Sequence, residues 1–301
     1  MKHHLSNLKS LPFGGASCVI DEELSNVVTQ AIIASASTCL SDDKIQEKFL
    51  QEYFKWIMST KTNRFKNLEN FSQLSYSNGT TEGFDKFYIN NSARRFRVFR
   101  GEYMYHGATW KLGHPNWRYI EDAPLESRDA VIVSMPFSDT GKVHPRLNEM
   151  LDQCLKLGVP VLIDCAFVGI CGNVEFDFGH PAITDVTFSL SKTFPVANLR
   201  IGMRCRREDN DDGLFIHQKT NYNNRLGAAV GIYLIERYSV DYNFEKYRAQ
   251  QIEFCKQLEV VPSDSVIFGL GGESWKSYNR GTNTNRLCFS KWFNQKDLLK
   301  K

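Results

Sequence analysis

The sequence predicts an α/β fold: a mainly parallel sheet with helices on both faces. Short apolar runs alternate with amphipathic stretches through the middle of the chain, as strands joined by crossover helices do. Two of those runs, AVIVS at 130–134 and PVLID at 160–164, are almost unbroken in apolar residues, which marks strands buried on both faces. Polar, glycine-bearing segments follow the runs directly, and ligands of such sheets sit beyond the carboxyl ends of the strands.

The elements follow in order. Residues 21–34 and 42–60 carry apolar residues at helical spacing, the second led by Ser41, Asp42 and Asp43 as a start signal. Residues 71–77 read as a strand, Asn78-Gly79 as a turn, and about 81–91 as a helix. Residues 94–99 alternate like a strand, and the run Arg94-Arg95-Phe96-Arg97 is expected at a solvated strand edge. A helix over 144–157 separates the two apolar strands. Residues 184–189 and 199–205 are further strands. Helical periodicity runs over 223–258 with a break near 239–243, and strands are expected at 265–269 and 286–290. No repeat of 20–50 residues and no low-complexity segment interrupts this pattern.

The charge balance is 37 basic against 34 acidic residues, a net +3, which gives no case for nucleic acid or an anionic membrane as the main partner. The eight cysteines form no C-x-x-C pair, and no histidine pair has metal-ligand spacing. They are expected as reduced core thiols of a cytosolic protein. The opening residues MKHHLSNLKSLPFGG lack the apolar stretch of a signal peptide, and no window of about 18 apolar residues exists.

Five segments carry candidate chemistry. In Phe188-Ser189-Leu190-Ser191-Lys192-Thr193-Phe194, a lysine follows an apolar strand between small hydroxyl residues, and Arg200 lies eight positions on. A lysine used as a Schiff-base nucleophile must be deprotonated and so needs a lowered pKa; the plain alternative is a surface lysine. In Val161-Leu162-Ile163-Asp164-Cys165-Ala166-Phe167-Val168-Gly169, a carboxylate ends a buried strand. It either caps the following turn or pairs with a cationic ring nitrogen. Ser77-Asn78-Gly79-Thr80-Thr81-Glu82-Gly83 is a strand-to-helix turn, equally a simple cap or an anion site of free helix amides. Ser134-Met135-Pro136-Phe137-Ser138-Asp139-Thr140-Gly141-Lys142 is another turn at a strand end. Asn285-Arg286-Leu287-Cys288-Phe289-Ser290 brings an arginine into a late strand, suited to a bidentate grip on a carboxylate or to a surface salt bridge.

Taken together and in this order, the segments resemble those of the class I/II aminotransferases, the aspartate-aminotransferase-like branch of the fold-type-I pyridoxal-phosphate enzymes. S-L-S-K-T-F with L-R-I-G is similar to the family's lysine segment, D-C-A-F-V-G to its aspartate motif, N-G-T-T-E-G to its phosphate loop, and P-F-S-D-T-G-K stands where the family has an asparagine-proline-threonine-glycine sequence. The resemblance implies a three-layer α/β/α fold with pyridoxal 5'-phosphate as cofactor. Lys192 would form the Schiff base and shuttle the Cα proton, and Asp164 would pair with the pyridinium nitrogen. Gly79, Thr80, Thr81, Ser189, Ser191 and Arg200 would hold the phosphate, and Arg286 the substrate carboxylate. Tyr103, or alternatively Tyr105, would stack on the ring. Residues 11–15 would cross the substrate mouth.

The implied organisation is an N-terminal segment over 1–30, a large cofactor-binding domain over 31–225 and a reduced small α/β domain over 226–301. The implied reaction is amino-group transfer from an amino acid to a 2-oxo acid, in a cytoplasmic homodimer. A lyase, decarboxylase, hydroxylase or cyclase acting on amino acids is the alternative, and a non-catalytic binding relative is the alternative of another class. Three departures bear on this choice. Ser138 stands in place of the asparagine, and Phe167 in place of the tyrosine, that bond the cofactor's phenolic oxygen. A less stabilised phenolate implies a higher pKa for the Schiff base. The chain is also short for the family, which trims the small domain.

Overall fold

The computed structural model describes residues 8, 10–111, 117–209 and 211–293. Helices α1 (Glu22–Ser41) and α2 (Ile45–Met58) precede strands β1 (Arg64–Lys66) and β2 (Gln73–Ser77). Then come α3 (Thr80–Asn90), β3 (Arg95–Val98), α4 (Met104–Lys111), β4 (Trp117–Tyr119), β5 (Asp129–Ser134), α5 (Leu147–Leu157), β6 (Val161–Asp164), β7 (Glu175–Asp177), β8 (Ile183–Ser189) and β9 (Gly202–Arg206). Helices α6 (Gly213–Thr220), α7 (Arg225–Ile235) and α8 (Tyr242–Leu258) lead to β10 (Val261–Pro262), β11 (Phe268–Gly271) and β12 (Asn285–Cys288).

Seven strands form the central sheet in the order β2-β9-β8-β6-β5-β3-β4. All its pairings are parallel except those of β9, which runs against both β2 and β8. Every residue of β5 and β6 is buried, as their apolar runs predict. Helix α7 is buried on nearly every side and packs against α1 and α2. Its Gly231 is required there, because a Cβ would overlap the Phe49 ring.

A second sheet, β10-β11-β12, is antiparallel. The N-terminal segment joins it: Phe13 exchanges both backbone hydrogen bonds with Cys288, at 3.1 and 3.0 Å. Asp21 caps α1 by accepting from the amides of Glu23 and Leu24, and its other oxygen accepts from Lys246 and Tyr247 of α8. That one carboxylate therefore starts an early helix and ties it to a late one. Among the described residues, no helix is long and apolar enough to cross a membrane.

Two expectations for the central sheet are revised. The strand expected from residue 199 begins at Gly202, because residues 197–199 form a 3-10 turn and Arg200 takes a left-handed φ of 55°. The arginine run of β3 is not a solvated edge. Strand β4 lies outside β3 and covers it, and Arg95 and Arg97 are buried around a fully buried Asp129. Arg95 donates to both oxygens of Asp129 at 2.6 and 3.0 Å, and Arg97 donates to one at 2.7 Å. Arg97 also donates to the carbonyls of Tyr119, Ala123 and Pro124. Alternation alone cannot separate an inward charge that has a partner from an outward one.

Breaking this cluster leaves the buried Arg97 without its counter-charge and Arg95 with only the half-exposed Glu126, 3.1 Å away. Asp129→Ala is expected to lower the unfolding free energy by about 3–5 kcal/mol, read as a shift of the urea midpoint. A loss below about 1 kcal/mol would mean that Glu126 suffices for Arg95 and the carbonyls for Arg97.

Candidate active site

The polar segments converge at one edge of the central sheet. Ser77, Ser134, Asp164 and Ser189 are the last residues of β2, β5, β6 and β8. Ser77 and Ser189 both pair with Gly202 of the antiparallel β9, and Ser134 pairs with Asp164.

An anion cup forms where β2 meets α3. Gly79 has a φ of +76°, and a Cβ there would overlap the Arg200 guanidinium. A Cβ on Gly202 would lie 2.8 Å from the Gly79 Cα. The two glycines thus let the turn and Arg200 approach closely. Arg200 donates to the Asn78 carbonyl at 2.9 Å and to the Thr81 hydroxyl at 2.8 Å, which aims its fork at the start of α3. The first amides of α3, from Thr80 on, have no partner within the helix, and a helix N-terminus favours an anion. Ser189 donates to the Ser191 hydroxyl at 2.9 Å and accepts from the Ser191 amide at 3.1 Å.

Asp164 and Lys192 sit beside this cup. Asp164 is 5% exposed. Burial pushes its carboxyl up to about 8, and the neighbouring Glu102 carboxylate adds to the rise. The Ala166 amide at 3.1 Å, the Lys192 charge and the Thr80 hydroxyl oppose it. Lys192 is partly buried and donates to the Ala16 carbonyl at 2.8 Å. Burial lowers its pKa, as does the charge of Arg286, against the pull of Cys18, Cys288 and Asp164. An amine held toward its neutral form is a nucleophile.

The loops carrying these two residues are locked together. A Cβ on Gly169 would overlap the side chain of Thr193. The buried Asn243 of α8 donates to the carbonyls of both, at 3.3 and 2.7 Å.

Arg286 enters on β12. It donates to the carbonyls of Ser138 and, at 3.2 Å, Gly14, with its guanidinium 4.4 Å from the Phe268 ring centroid. Burial, then the charge of Arg280, pushes it down to about 10. The Ser138 amide donates to the Ser134 hydroxyl at 2.8 Å. Phe167 is buried and meets Phe268 edge-on. Tyr105 donates to Asp85 at 2.7 Å, whereas Tyr103, stacked near it, is 41% exposed. Of the two aromatic candidates, Tyr103 has the freer ring.

Three residues here escaped the sequence reading. Glu102 directly precedes Tyr103. Its buried carboxylate accepts from the Ser134 amide and hydroxyl at 2.7 and 2.6 Å, and burial raises it to about 6. Arg280 lies in a loop of no periodicity, and Asn243 reads as one more polar residue of a helix. Only Glu102, a carboxylate in the turn that follows β3, carried a signal that could have marked it.

No family model matches the sequence, and no curated protein matches it. Solved structures do match in fold. A putative aminotransferase from Burkholderia pseudomallei is 17% identical with a TM-score of 0.63, over 95% of this chain and 94% of that one. A probable N-succinyldiaminopimelate aminotransferase from Thermus thermophilus is 13% identical with a TM-score of 0.65, over 98% and 94%. A pyridoxal-phosphate-bound C-S lyase from Staphylococcus hominis is 12% identical with a TM-score of 0.67, over 95% and 88%. With one antiparallel strand in its otherwise parallel central sheet and polar residues at the strand ends, the chain has the fold of the class I/II-aminotransferase-like, fold-type-I pyridoxal-phosphate enzymes.

Proposed function

We propose that this chain is a pyridoxal-phosphate-dependent enzyme that transfers the amino group of an amino acid to a 2-oxo acid. The observation that carries this reading is a buried carboxylate, Asp164, placed with a partly buried lysine beside an anion cup. The donor set fits the cofactor. Arg200, the Thr81 hydroxyl and the first amides of α3 suit a phosphate dianion, and glycine at position 79 lets the Arg200 guanidinium close on that turn, where any Cβ would overlap it. Asp164 would gain a hydrogen-bonded cation in a protonated pyridine nitrogen. The bound cofactor would supply an aldehyde for an amine and a ring that takes up the electron pair of a broken Cα bond.

This chain's residues would do the rest. Lys192 would be the nucleophile that holds the group and, once freed, would be the base that moves the proton of the substrate Cα. Asp164 would supply the negative charge that favours a protonated ring nitrogen. Arg286 exchanges its carbonyl partners for the substrate carboxylate and so fixes which Cα bond faces Lys192. A lyase-type or other specialised reaction is the second reading. Phe167 favours it, since it offers no donor where the family has a tyrosine.

Adding pyridoxal phosphate to purified protein should give a yellow species that borohydride bleaches, with the label mapping to Lys192. Stoichiometric release of a 2-oxo acid, leaving the amine form of the cofactor, would identify transamination; release of ammonia would identify a lyase. A protein that takes up no cofactor, or that carries the label on another lysine, refutes the proposal.

A further inference from the structure

We propose that Arg280 is a second carboxylate-binding residue of this site, sharing one substrate carboxylate with Arg286; the assignment rests on the function proposed above. The Arg280 Nη1 donates to the Ser138 carbonyl at 3.2 Å, and the Arg286 Nη1 donates to that same oxygen. Arg280 also reaches the Ser138 hydroxyl at 3.4 Å and the Glu102 carbonyl at 2.9 Å. The short side chain of Ser138 leaves room for this approach.

Two like charges directed at one neutral oxygen repel each other, and the carboxylates of Asp139 and Glu102 oppose that repulsion at Arg280 without a hydrogen bond from either arginine to them. Asp139 lies 3.7 Å from Arg280. One of its oxygens accepts from Thr282 at 2.6 Å, and the other has no hydrogen bond among the described residues. The buried Nε of Arg286 has no partner among them either. Positive charge and spare donors therefore accumulate at a single point. Convergence there suits one carboxylate, whose two oxygens can each take a guanidinium. Separate subsites for two carboxylates would need the guanidinia to face apart.

The loop that carries Arg280 is braced for this placement. Asn279 donates to the carbonyls of Thr282 and Thr284 at 2.7 and 3.1 Å, Gly281 takes a φ of +86°, and Thr282 anchors the turn to Asp139. The Arg280 side chain is 18% exposed, whereas Arg286 is buried.

The test is calorimetric titration of the cofactor-loaded and the stripped protein with propionate and with succinate. Arg280→Gln is expected to weaken propionate about ten- to a hundredfold. Arg286→Gln should do likewise, and the double variant should lose less than the sum, because the two residues grip one group. Arg280→Lys should recover part of the affinity, while cofactor absorbance and the urea midpoint stay near those of the unchanged protein. Propionate affinity within about twofold of the unchanged protein in Arg280→Gln, or weakening of succinate alone, overturns the proposal. Failure of the protein to take up pyridoxal phosphate would instead refute the function above, and propionate binding to the stripped protein would still read the role of Arg280.

Discussion

Lys192→Ala is expected to abolish borohydride labelling and to lower turnover by roughly 10²- to 10⁴-fold from the lost proton transfer alone. The same change should leave the fold intact or firmer. Burial disfavours the charged form of Lys192 so strongly that its pKa falls despite the opposing pull of Cys18, Cys288 and Asp164. Removing the amine relieves that cost and forfeits one hydrogen bond to the Ala16 carbonyl, worth about 1 kcal/mol. The linkage has a definite sign. A lysine whose folded pKa lies below its unfolded value binds fewer protons when folded, so its cost to stability is greatest at low pH and fades as pH rises through the unfolded value. The unfolding free energy of Lys192→Ala at pH 7 should therefore equal or exceed that of the unchanged protein. A clearly destabilised variant would mean that Lys192 mainly anchors the N-terminal segment.

This lysine shows what the sequence made legible. Its segment, the Asp164 motif and the Gly79 turn each had a plain alternative, but all three lie at strand ends, and the strands themselves were readable from short apolar runs and alternation. The central sheet followed from that pattern. Elements too short to show a period, such as β1, β4, β7 and β10, did not. Helix α1 runs to Ser41, well past the expected residue 34, because a stripe of Leu24, Val28, Ala31 and Ser35 continues inward through small residues that look like loop. The inward turn of Arg95 and Arg97 depended on Asp129, more than thirty residues away, and no local window contains both. Arg280 was hidden for the same reason, since its meaning lies in Ser138 and Glu102, which only the folded chain brings near.

Asp164→Asn should separate function from stability most sharply. Asparagine keeps the shape but loses the negative charge that would hold a ring nitrogen protonated, so turnover should fall by about 10²- to 10³-fold, with weaker retention of the cofactor. In protein stripped of cofactor the effect on stability is opposite. The Asp164 carboxyl is held up to about 8 from 3.8, mainly by burial. Between those values the folded chain carries a proton that the unfolded chain has released, so stability falls as pH rises from about 4 to 8. At about 1.4 kcal/mol per pH unit, the full span corresponds to about 6 kcal/mol at most. Glu102, held up to about 6, adds to the slope in the lower half of that window. Urea midpoints of the stripped protein should thus decline toward pH 8, and Asp164→Asn, which cannot titrate, should keep a higher midpoint there. Loading the unchanged protein with pyridoxal phosphate should flatten its decline, because a pyridinium opposite Asp164 stabilises the ionised carboxylate that burial opposes. A flat profile in the stripped protein would show that Asp164 is ionised without help. An equally steep profile in the loaded protein would show that the ring nitrogen does not meet it.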